Sequence, residues 1–128
     1  MTQSLLLIAL LVAHWFGDFS PLSTPWMLNA KRLGKPLFPI FVHAGVHAVL
    51  VAVVLFFYCD VRMMMLFVGF ECITHFLIDV LKGRLQSVFP VLNDAHRPPF
   101  WMLFGADQFL HILVLIIISH LAIYQQIS

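Results

Sequence analysis

The sequence predicts an all-α membrane protein folded as a four-transmembrane-helix bundle. Of its 128 residues, 62% are hydrophobic and only 10% are charged, whereas soluble domains average about 25% charged residues. The apolar residues fall into four long runs that are separated by short polar segments. A transmembrane helix needs about 20 apolar residues, so the chain can hold four spans with short connections. We therefore expect a single integral membrane domain over residues 1–128.

The four apolar runs define the predicted spans. They cover Ser4–Phe19, Pro39–Cys59, Met63–Leu81 and Pro99–Tyr124. We expect the first run to be a retained helix, because it lacks the basic start and the A-x-A-like cleavage site of a signal peptide. Only Asp60, Val61 and Arg62 join the second and third runs, so these two spans are expected to form an antiparallel hairpin.

The first connection is expected to contain a short interfacial helix. Thr24 followed by Pro25 has the pattern of an N-cap and a proline at the first helical position. Trp26 is a residue type that anchors helices in the headgroup layer of a membrane. Gly34 and Pro36 are expected to end this helix.

The basic residues predict how the spans are oriented. The second connection has Arg62 alone, whereas the first connection and the third (Lys82–Pro98) share six basic residues. These six are Lys31, Arg32, Lys35, Lys82, Arg84 and Arg97. The positive-inside rule places both of these connections in the cytoplasm, with both termini outside. No basic block typical of nucleic-acid binding occurs, so we expect no nucleic-acid partner.

Each predicted span carries two ionisable residues that lie four positions apart. The pairs are His14 and Asp18, His43 and His47, His75 and Asp79, and Asp107 and His111. Residues four apart share one helix face, and a rise of about 1.5 Å per residue puts all four pairs in the cytoplasmic half of the bilayer. Ionisable groups inside a membrane usually face a bundle interior or a wet cavity. We therefore expect one shared polar site, with no role assigned to Glu71, His96 or His120.

The pairs also indicate a weak internal repeat of two helical hairpins. The first and third spans both carry a histidine followed four positions later by an aspartate, His14 to Asp18 and His75 to Asp79. The second and fourth spans run in the other direction and carry the remaining two pairs. A parallel repeat implies a pseudo-two-fold axis along the membrane normal, which would bring the equivalent pairs together.

The residue types in these pairs predict a divalent-metal site. Imidazole and carboxylate ligands together suit Zn, Mn or Fe, and helical bundles build di-metal sites from ligands that point inward. The predicted metal ligands are His14, His43, His47, His75 and His111, and the predicted catalytic residues, as ligands or bases, are Asp18, Asp79 and Asp107. The alternative is that the pairs only form hydrogen bonds between helices. Four pairs at one depth favour the metal site.

Several runs carry a resemblance to known families. They are Ala13–Phe19, His43–Ala48, Thr74–Lys82 and Asp107–His111, with Trp26 and Lys31 between the first two. Together they resemble a family of small polytopic bacterial and phage membrane proteins with no assigned function, which implies a bacterial inner-membrane location. A looser likeness, to the membrane-bound metal-dependent hydrolases of bacteria, rests on Thr74–Asp79 and on the pair His43 and His47, and it implies metal-dependent hydrolysis.

Three functions remain open from the sequence. The first is a metal-dependent hydrolase of a lipid or lipid-linked phosphate, with membrane lipid as its partner; G-x-S-x-G and phosphate-loop motifs are absent. The second is a proton or metal-ion transporter or channel, because chains of Asp and His relay protons. The third is a non-enzymatic accessory protein, phage-derived or holin-like, that works as a homo-oligomer. The apolar outer half of the spans counts against transport.

Overall fold

The computed structural model describes residues 3–127, with side chains for residues 3–125, and this part of the chain is helical without a β-strand. The predicted all-α class is therefore confirmed. A single 3₁₀ turn, Pro90–Asn93, precedes the last helix. The α-helices are α1 (Gln3–Phe19), α2 (Pro25–Leu33), α3 (Leu37–Leu55), α4 (Val61–Val88) and α5 (Pro98–Ile127).

Three of the helices in this part of the chain, α3, α4 and α5, are long and apolar enough to span a membrane. The first predicted span corresponds to α1, which is apolar but has only 17 residues. A helix of this length rises about 26 Å, slightly less than the hydrocarbon thickness of a typical bilayer. The count of four spans therefore stays a prediction.

The helices α1, α3, α4 and α5 form a four-helix bundle, in which each helix packs against the one that follows it in this order. α1 packs against α3 and α5, and α4 packs against the same two helices. Consequently α1 and α4 lie diagonally opposite and run in the same direction, as do α3 and α5. This is the arrangement that the predicted pseudo-two-fold axis requires. α2 has no counterpart in the second hairpin, because the segment between α4 and α5 contains only a 3₁₀ turn.

Apolar side chains fill the half of the bundle that lies away from α2. They come from the first turns of α1 and α4 and from the last turns of α3 and α5. They are Leu6, Leu10, Val51, Leu55, Phe67, Leu115, Ile118 and Ala122. Because these side chains pack directly against one another, this half of the bundle has a continuous apolar core.

In the other half the distribution of polarity is inverted. The outer face carries exposed apolar side chains such as Trp15, Phe41, Leu77 and Phe109, each more than half exposed. Ionisable side chains occupy the interior at the same level. Water would penalise such an exterior, whereas the hydrocarbon of a bilayer would not. The surface therefore agrees with the membrane character that the composition predicts.

The predicted short helix after the first span is confirmed as α2, with both of its ends. The Thr24 Oγ1 accepts a hydrogen bond from the Met27 backbone N–H at 3.4 Å, and Pro25 is the first helical residue. At the other end Gly34 has the left-handed φ of 64° that closes a helix, and its N–H donates to Ala30 O. Met27 and Ala30 are buried, so α2 packs onto the bundle. Its location in the headgroup layer stays a prediction.

Two helices end at other residues than the predicted spans do. The sequence places the end of the third span at Leu81, but α4 continues to Val88, so that Lys82 and Arg84 are helical. The second connection spans residues 56–60, because α3 ends at Leu55 and Asp60 caps α4 by accepting hydrogen bonds from two backbone N–H groups.

The extension of α4 is stabilised by its contact with α2. The backbone of Gly83 lies directly against Lys31 O and Gly34, where a Cβ atom would overlap both. Arg84 Nε donates to Gly34 O at 3.0 Å, and Ser87 Oγ donates to Leu33 O at 2.7 Å. These bonds satisfy carbonyl groups that the end of α2 would otherwise leave unpaired. The contact fixes α2 across the end of the bundle.

Candidate metal centre

The structure brings the predicted site residues together in the half of the bundle next to α2. Each of the four bundle helices contributes its pair, and Glu71 of α4 joins them from one turn deeper. Seven of the eight predicted residues are buried, and the side chain of Asp18 is 6% exposed. We call this set the histidine–carboxylate cluster: His14, Asp18, His43, His47, Glu71, His75, Asp79, Asp107 and His111.

Four imidazole rings of the cluster pack around the fifth, that of His75. The ring centroids of His75 and His47 are 3.8 Å apart, and those of His75 and His111 are 4.2 Å apart. His43 and His14 complete the group, with centroids 5.3 Å and 5.6 Å from that of His75. Five imidazoles therefore share one small interior volume.

Three of the histidines have one ring nitrogen held by a hydrogen bond. His75 Nδ1 lies 3.3 Å from Glu71 Oε1, and His111 Nδ1 lies 2.8 Å from the Asp107 backbone oxygen. Because a carbonyl oxygen only accepts, His111 Nδ1 carries the proton and donates, and His75 Nδ1 does the same when Glu71 is ionised. The remaining Nε2 atoms therefore have free lone pairs that face the interior. Metal-binding histidines are typically oriented in this way.

His43 has the same arrangement through Ser23, which lies just before α2. Its Nδ1 is 3.3 Å from Ser23 Oγ, which donates its own proton to Gly17 O at 2.8 Å. Since the hydroxyl proton is used, Ser23 Oγ accepts from His43 Nδ1. His43 Nε2 lies 2.9 Å from Lys31 Nζ and 3.1 Å from Asp18 Oδ1, so it faces a charged group of each sign.

Three groups within the cluster have ligand atoms that all lie within 4.8 Å of one another, close enough to share an ion. His75 belongs to all three, and Asp107 to none. The groups are His14, His47, Glu71 and His75; Asp18, His43, His47 and His75; and His75, Asp79 and His111.

The separations between these atoms fit a coordination sphere. His47 Nε2 lies 3.4 Å from Asp18 Oδ1, and His75 Nε2 lies 3.4 Å from Asp79 Oδ2. Two tetrahedral ligands that are each about 2.1 Å from one zinc ion would be about 3.4 Å apart. These two pairs of donor atoms are therefore spaced as zinc ligands would be.

Two lysines partly neutralise the carboxylates of the cluster. Lys31 Nζ lies 3.0 Å from Asp18 Oδ1 and 3.3 Å from Asp79 Oδ2, and Lys82 Nζ lies 2.9 Å from Asp107 Oδ2. Burial alone would lower the pKa of Lys31, but the charges of Asp79 and Asp18 outweigh burial and raise it. Four carboxylates and two ammonium groups leave a formal charge of −2 when the histidines are neutral. One divalent cation would balance this charge.

Many polar atoms of the cluster have no hydrogen-bond partner among the residues that the structure describes. Nine buried nitrogen and oxygen atoms are in this position, whereas the rest of the described chain contributes only Ser119 Oγ. Leaving such an atom unpaired costs about 1–3 kcal/mol, so a concentration of them calls for a compensating partner. They belong to His14 and His47 (both ring nitrogens), His75, His111, Asp79 (both oxygens) and Asp107.

A cavity of about 250 Å³ leads from the cluster toward the end of the bundle that carries α2. Asp18 and Asp107 lie at its inner end, where Gln108 Nε2 donates to Asp18 Oδ2 at 3.1 Å and to Asp107 Oδ2 at 3.2 Å. Residues of α1, α2, α4 and α5 form its wall. The cavity therefore gives the cluster an approach from one end of the bundle.

Sequence reasoning missed several residues that complete this site. The sequence marks Lys31 only as a basic residue of the first connection, although its position four residues after the buried Met27 places it on the buried face of α2. Gln108 follows Asp107 directly but carries no charge that would have marked it. Ser23 shows no periodic signal. Two further histidines lie outside the cluster: His96 is exposed in a loop, and His120 pairs with Gln3.

Comparison with known proteins identifies the family. Residues 6–128 match a family described as "Protein of unknown function (DUF3307)", and the chain belongs to this family. No curated protein and no solved structure gives a significant match. The expectation of a family without an assigned function is confirmed, while its bacterial and phage origin stays a prediction.

Proposed function

We propose that this protein is a multi-pass membrane metalloprotein that holds a divalent cation inside its bundle and uses it to hydrolyse a lipid or lipid-linked phosphate. One observation carries the proposal. Nine buried nitrogen and oxygen atoms without hydrogen-bond partners, all of ligand-bearing residue types, belong to a single cluster. A divalent metal ion within the cluster would supply the missing interactions.

The histidines would hold the ion through the nitrogens that face the centre of the cluster. These ligands would be His14, His43, His47, His75 and His111, with Asp18 and Asp79 as oxygen donors. Glu71 would act as a positioning residue, because it accepts the His75 Nδ1 proton and so directs Nε2 toward the centre. The mixture of nitrogen and oxygen donors suits Zn, Mn or Fe.

Asp107 would act as the general base. Its Oδ2 accepts hydrogen bonds from Lys82 and Gln108, and its Oδ1 has no hydrogen-bond partner among the described residues. Because Asp107 also lines the cavity, its carboxylate would accept a proton from a water molecule that enters there. A bound divalent cation would supply the acidity of that water and polarise a phosphoryl or carbonyl oxygen.

The apolar core supports an enzyme rather than a transporter. A transport route needs polar groups along the whole membrane thickness, but beyond Glu71 the interior is filled by the packed side chains of Leu6, Leu10, Val51 and Leu115. The cavity approaches the cluster from the opposite end. A homo-oligomeric accessory role would not require this buried cluster, which forms within one chain.

Metal analysis of the detergent-purified protein tests the proposal. We expect at least one equivalent of zinc, manganese or iron in the wild type, a large loss in His75→Ala, and no change in His96→Ala, whose histidine is exposed outside the cluster. A wild type that binds none of these metals, even after dialysis against each of them, would contradict the proposal.

The same protein in liposomes separates catalysis from transport. We expect release of phosphate from a lipid substrate that EDTA abolishes and added metal restores, with no flux of protons or zinc. Flux without hydrolysis would contradict the enzyme proposal and would indicate a transporter.

A further inference from the structure

Two kinds of residue dominate the lining of the cavity that leads to the cluster. The aromatic and aliphatic ones are Phe19, Leu28, Phe100 and Phe104. The basic ones are Lys31, Arg32 and Lys82, and Lys82 Nζ lies 5.4 Å from the centre of the Phe104 ring. A pocket whose lining is both apolar and cationic matches a ligand that has both parts.

Of the three basic residues, Arg32 is the one whose charge is uncommitted. Lys31 pairs with Asp18 and Asp79, and Lys82 pairs with Asp107. Arg32 has no ion pair among the described residues, and it is exposed at the last turn of α2. Its guanidinium can form two parallel hydrogen bonds to one phosphate group, which a lysine cannot do.

We infer that this cavity binds the headgroup of a phosphate-bearing lipid, with Arg32 as the residue that recognises the phosphate. The aromatic side chains of the lining would contact the start of the lipid chains, and the phosphate would lie between Arg32 and the inner end of the cavity. The inference rests on the proposed function for the fate of the lipid, but the binding itself requires no metal.

The charge of the cavity lining also favours a ligand that carries an anionic group. Two acidic residues, Asp18 and Asp107, are each already paired with a lysine, so the uncompensated charge of the wall is positive. A path that conducts cations would carry the opposite sign at its mouth. A free inorganic phosphate would satisfy Arg32 but would leave Phe100 and Phe104 without a ligand, which favours the amphiphile.

Titration calorimetry in an uncharged detergent tests the inference with short-chain probes. Dihexanoylphosphatidic acid carries both parts of the proposed ligand, inorganic phosphate carries only the anion, and dihexanoylglycerol carries only the chains. We expect phosphatidic acid to bind roughly tenfold or more tightly than either of the others, because only it contacts both the basic and the aromatic residues of the lining. Equal affinity for inorganic phosphate would show a simple anion site and overturn the lipid assignment.

Two variants locate the binding in the cavity. Arg32→Gln should weaken phosphatidic acid binding roughly tenfold or more, since a charge-assisted hydrogen bond is lost. Lys35→Gln removes an exposed basic residue of the same connection that does not line the cavity, and it should change affinity by less than about twofold. Equal losses in both variants would indicate general electrostatic attraction and contradict the inference.

Metal content is measured in the same samples, because this measurement distinguishes a failure of the proposed function from a failure of the lipid-binding inference. Arg32 lies outside the histidine–carboxylate cluster, and Arg32→Gln should therefore retain the wild-type metal content. Lipid binding in a protein that holds no metal would overturn the proposed function alone. Full metal content with unchanged lipid affinity in Arg32→Gln would overturn this inference alone.

Discussion

The imidazole ring of His47 lies directly on the backbone of Gly17. A Cβ atom on Gly17 would be 2.6 Å from His47 Nε2 and 2.8 Å from His47 Nδ1, closer than real Cβ contacts. The same His47 Nε2 lies 3.4 Å from Asp18 Oδ1. The absence of a side chain at position 17 therefore allows α3 to place this histidine next to the carboxylate of α1.

Gly17→Ala should displace His47 and reduce metal binding. The added methyl group would force the ring out of its position, and one of the shared ligands would be lost. Since alanine is a better helix former than glycine by about 1 kcal/mol, the helix itself should not be weakened. We expect lower zinc affinity by equilibrium dialysis, with a helical circular dichroism spectrum like that of the wild type.

Gly45→Ala is the matched control for this substitution. A Cβ atom on Gly45 would meet nothing within 4 Å, although it lies on the helix that carries His47. Its zinc affinity should equal that of the wild type. If both alanine variants bind zinc normally, the contact between Gly17 and His47 does not support the site.

Ser23→Ala should lower metal affinity without unfolding the bundle. The substitution removes the acceptor for His43 Nδ1, so the ring is no longer held in one tautomer and orientation. Loss of such a supporting partner typically costs about 10–100-fold in metal affinity. Competition with a chromophoric chelator measures the change.

Ser119→Ala provides the comparison for Ser23→Ala, because Ser119 is also buried but lies outside the cluster and its hydroxyl has no hydrogen-bond partner. It should keep full metal affinity. A similar loss in both serine variants would show that the effect of Ser23→Ala comes from packing.

Lys31→Met should destabilise the bundle by removing the charge between Asp18 and Asp79. Breaking a buried ion pair costs about 3–5 kcal/mol, because the remaining charges stay buried without a partner. We expect a clearly lower thermal midpoint in the presence of EDTA, and a smaller decrease with zinc, which would supply positive charge at the same place. Lys35→Met, at an exposed position, should melt like the wild type.

The alkaline stability of the protein should depend on Lys31 in a defined direction. The pKa of Lys31 is raised above its ordinary value of 10.5 in the folded protein. Its stabilisation is therefore complete below pH 10.5 and is lost as the pH rises through the higher folded value. The difference in thermal midpoint between wild type and Lys31→Met should be constant from pH 7 to about pH 10 and should shrink above it. A difference that shrinks already at neutral pH would contradict the ion pair.

Cysteine labelling tests the predicted orientation. In a variant without Cys59 and Cys72, we expect a membrane-impermeant maleimide added outside the cell to label Arg62→Cys. Asn29→Cys and His96→Cys, which are exposed at the α2 end of the bundle, should react only after the membrane is opened. The reverse pattern would place both the cavity and the cluster on the outer side.

The sequence by itself determined the helical class and every member of the histidine–carboxylate cluster except Glu71. Apolar runs are set by local composition, and helical geometry places residues four apart on one face. In a membrane, ionisable groups that face lipid are unfavourable, so such groups are expected in the interior of the bundle. For these reasons His14, His43, His75 and Asp107 could be assigned to one interior site before any contact was known.

The tertiary structure alone decided which groups complete that site. α4 continues past Leu81 because α2 packs across Gly83, a contact between segments that are far apart in the chain. The same packing carries Lys31 to Asp18 and Asp79, and Ser23 to His43. Such partners are selected by distance in three dimensions, and local helical periodicity contains no information about that distance.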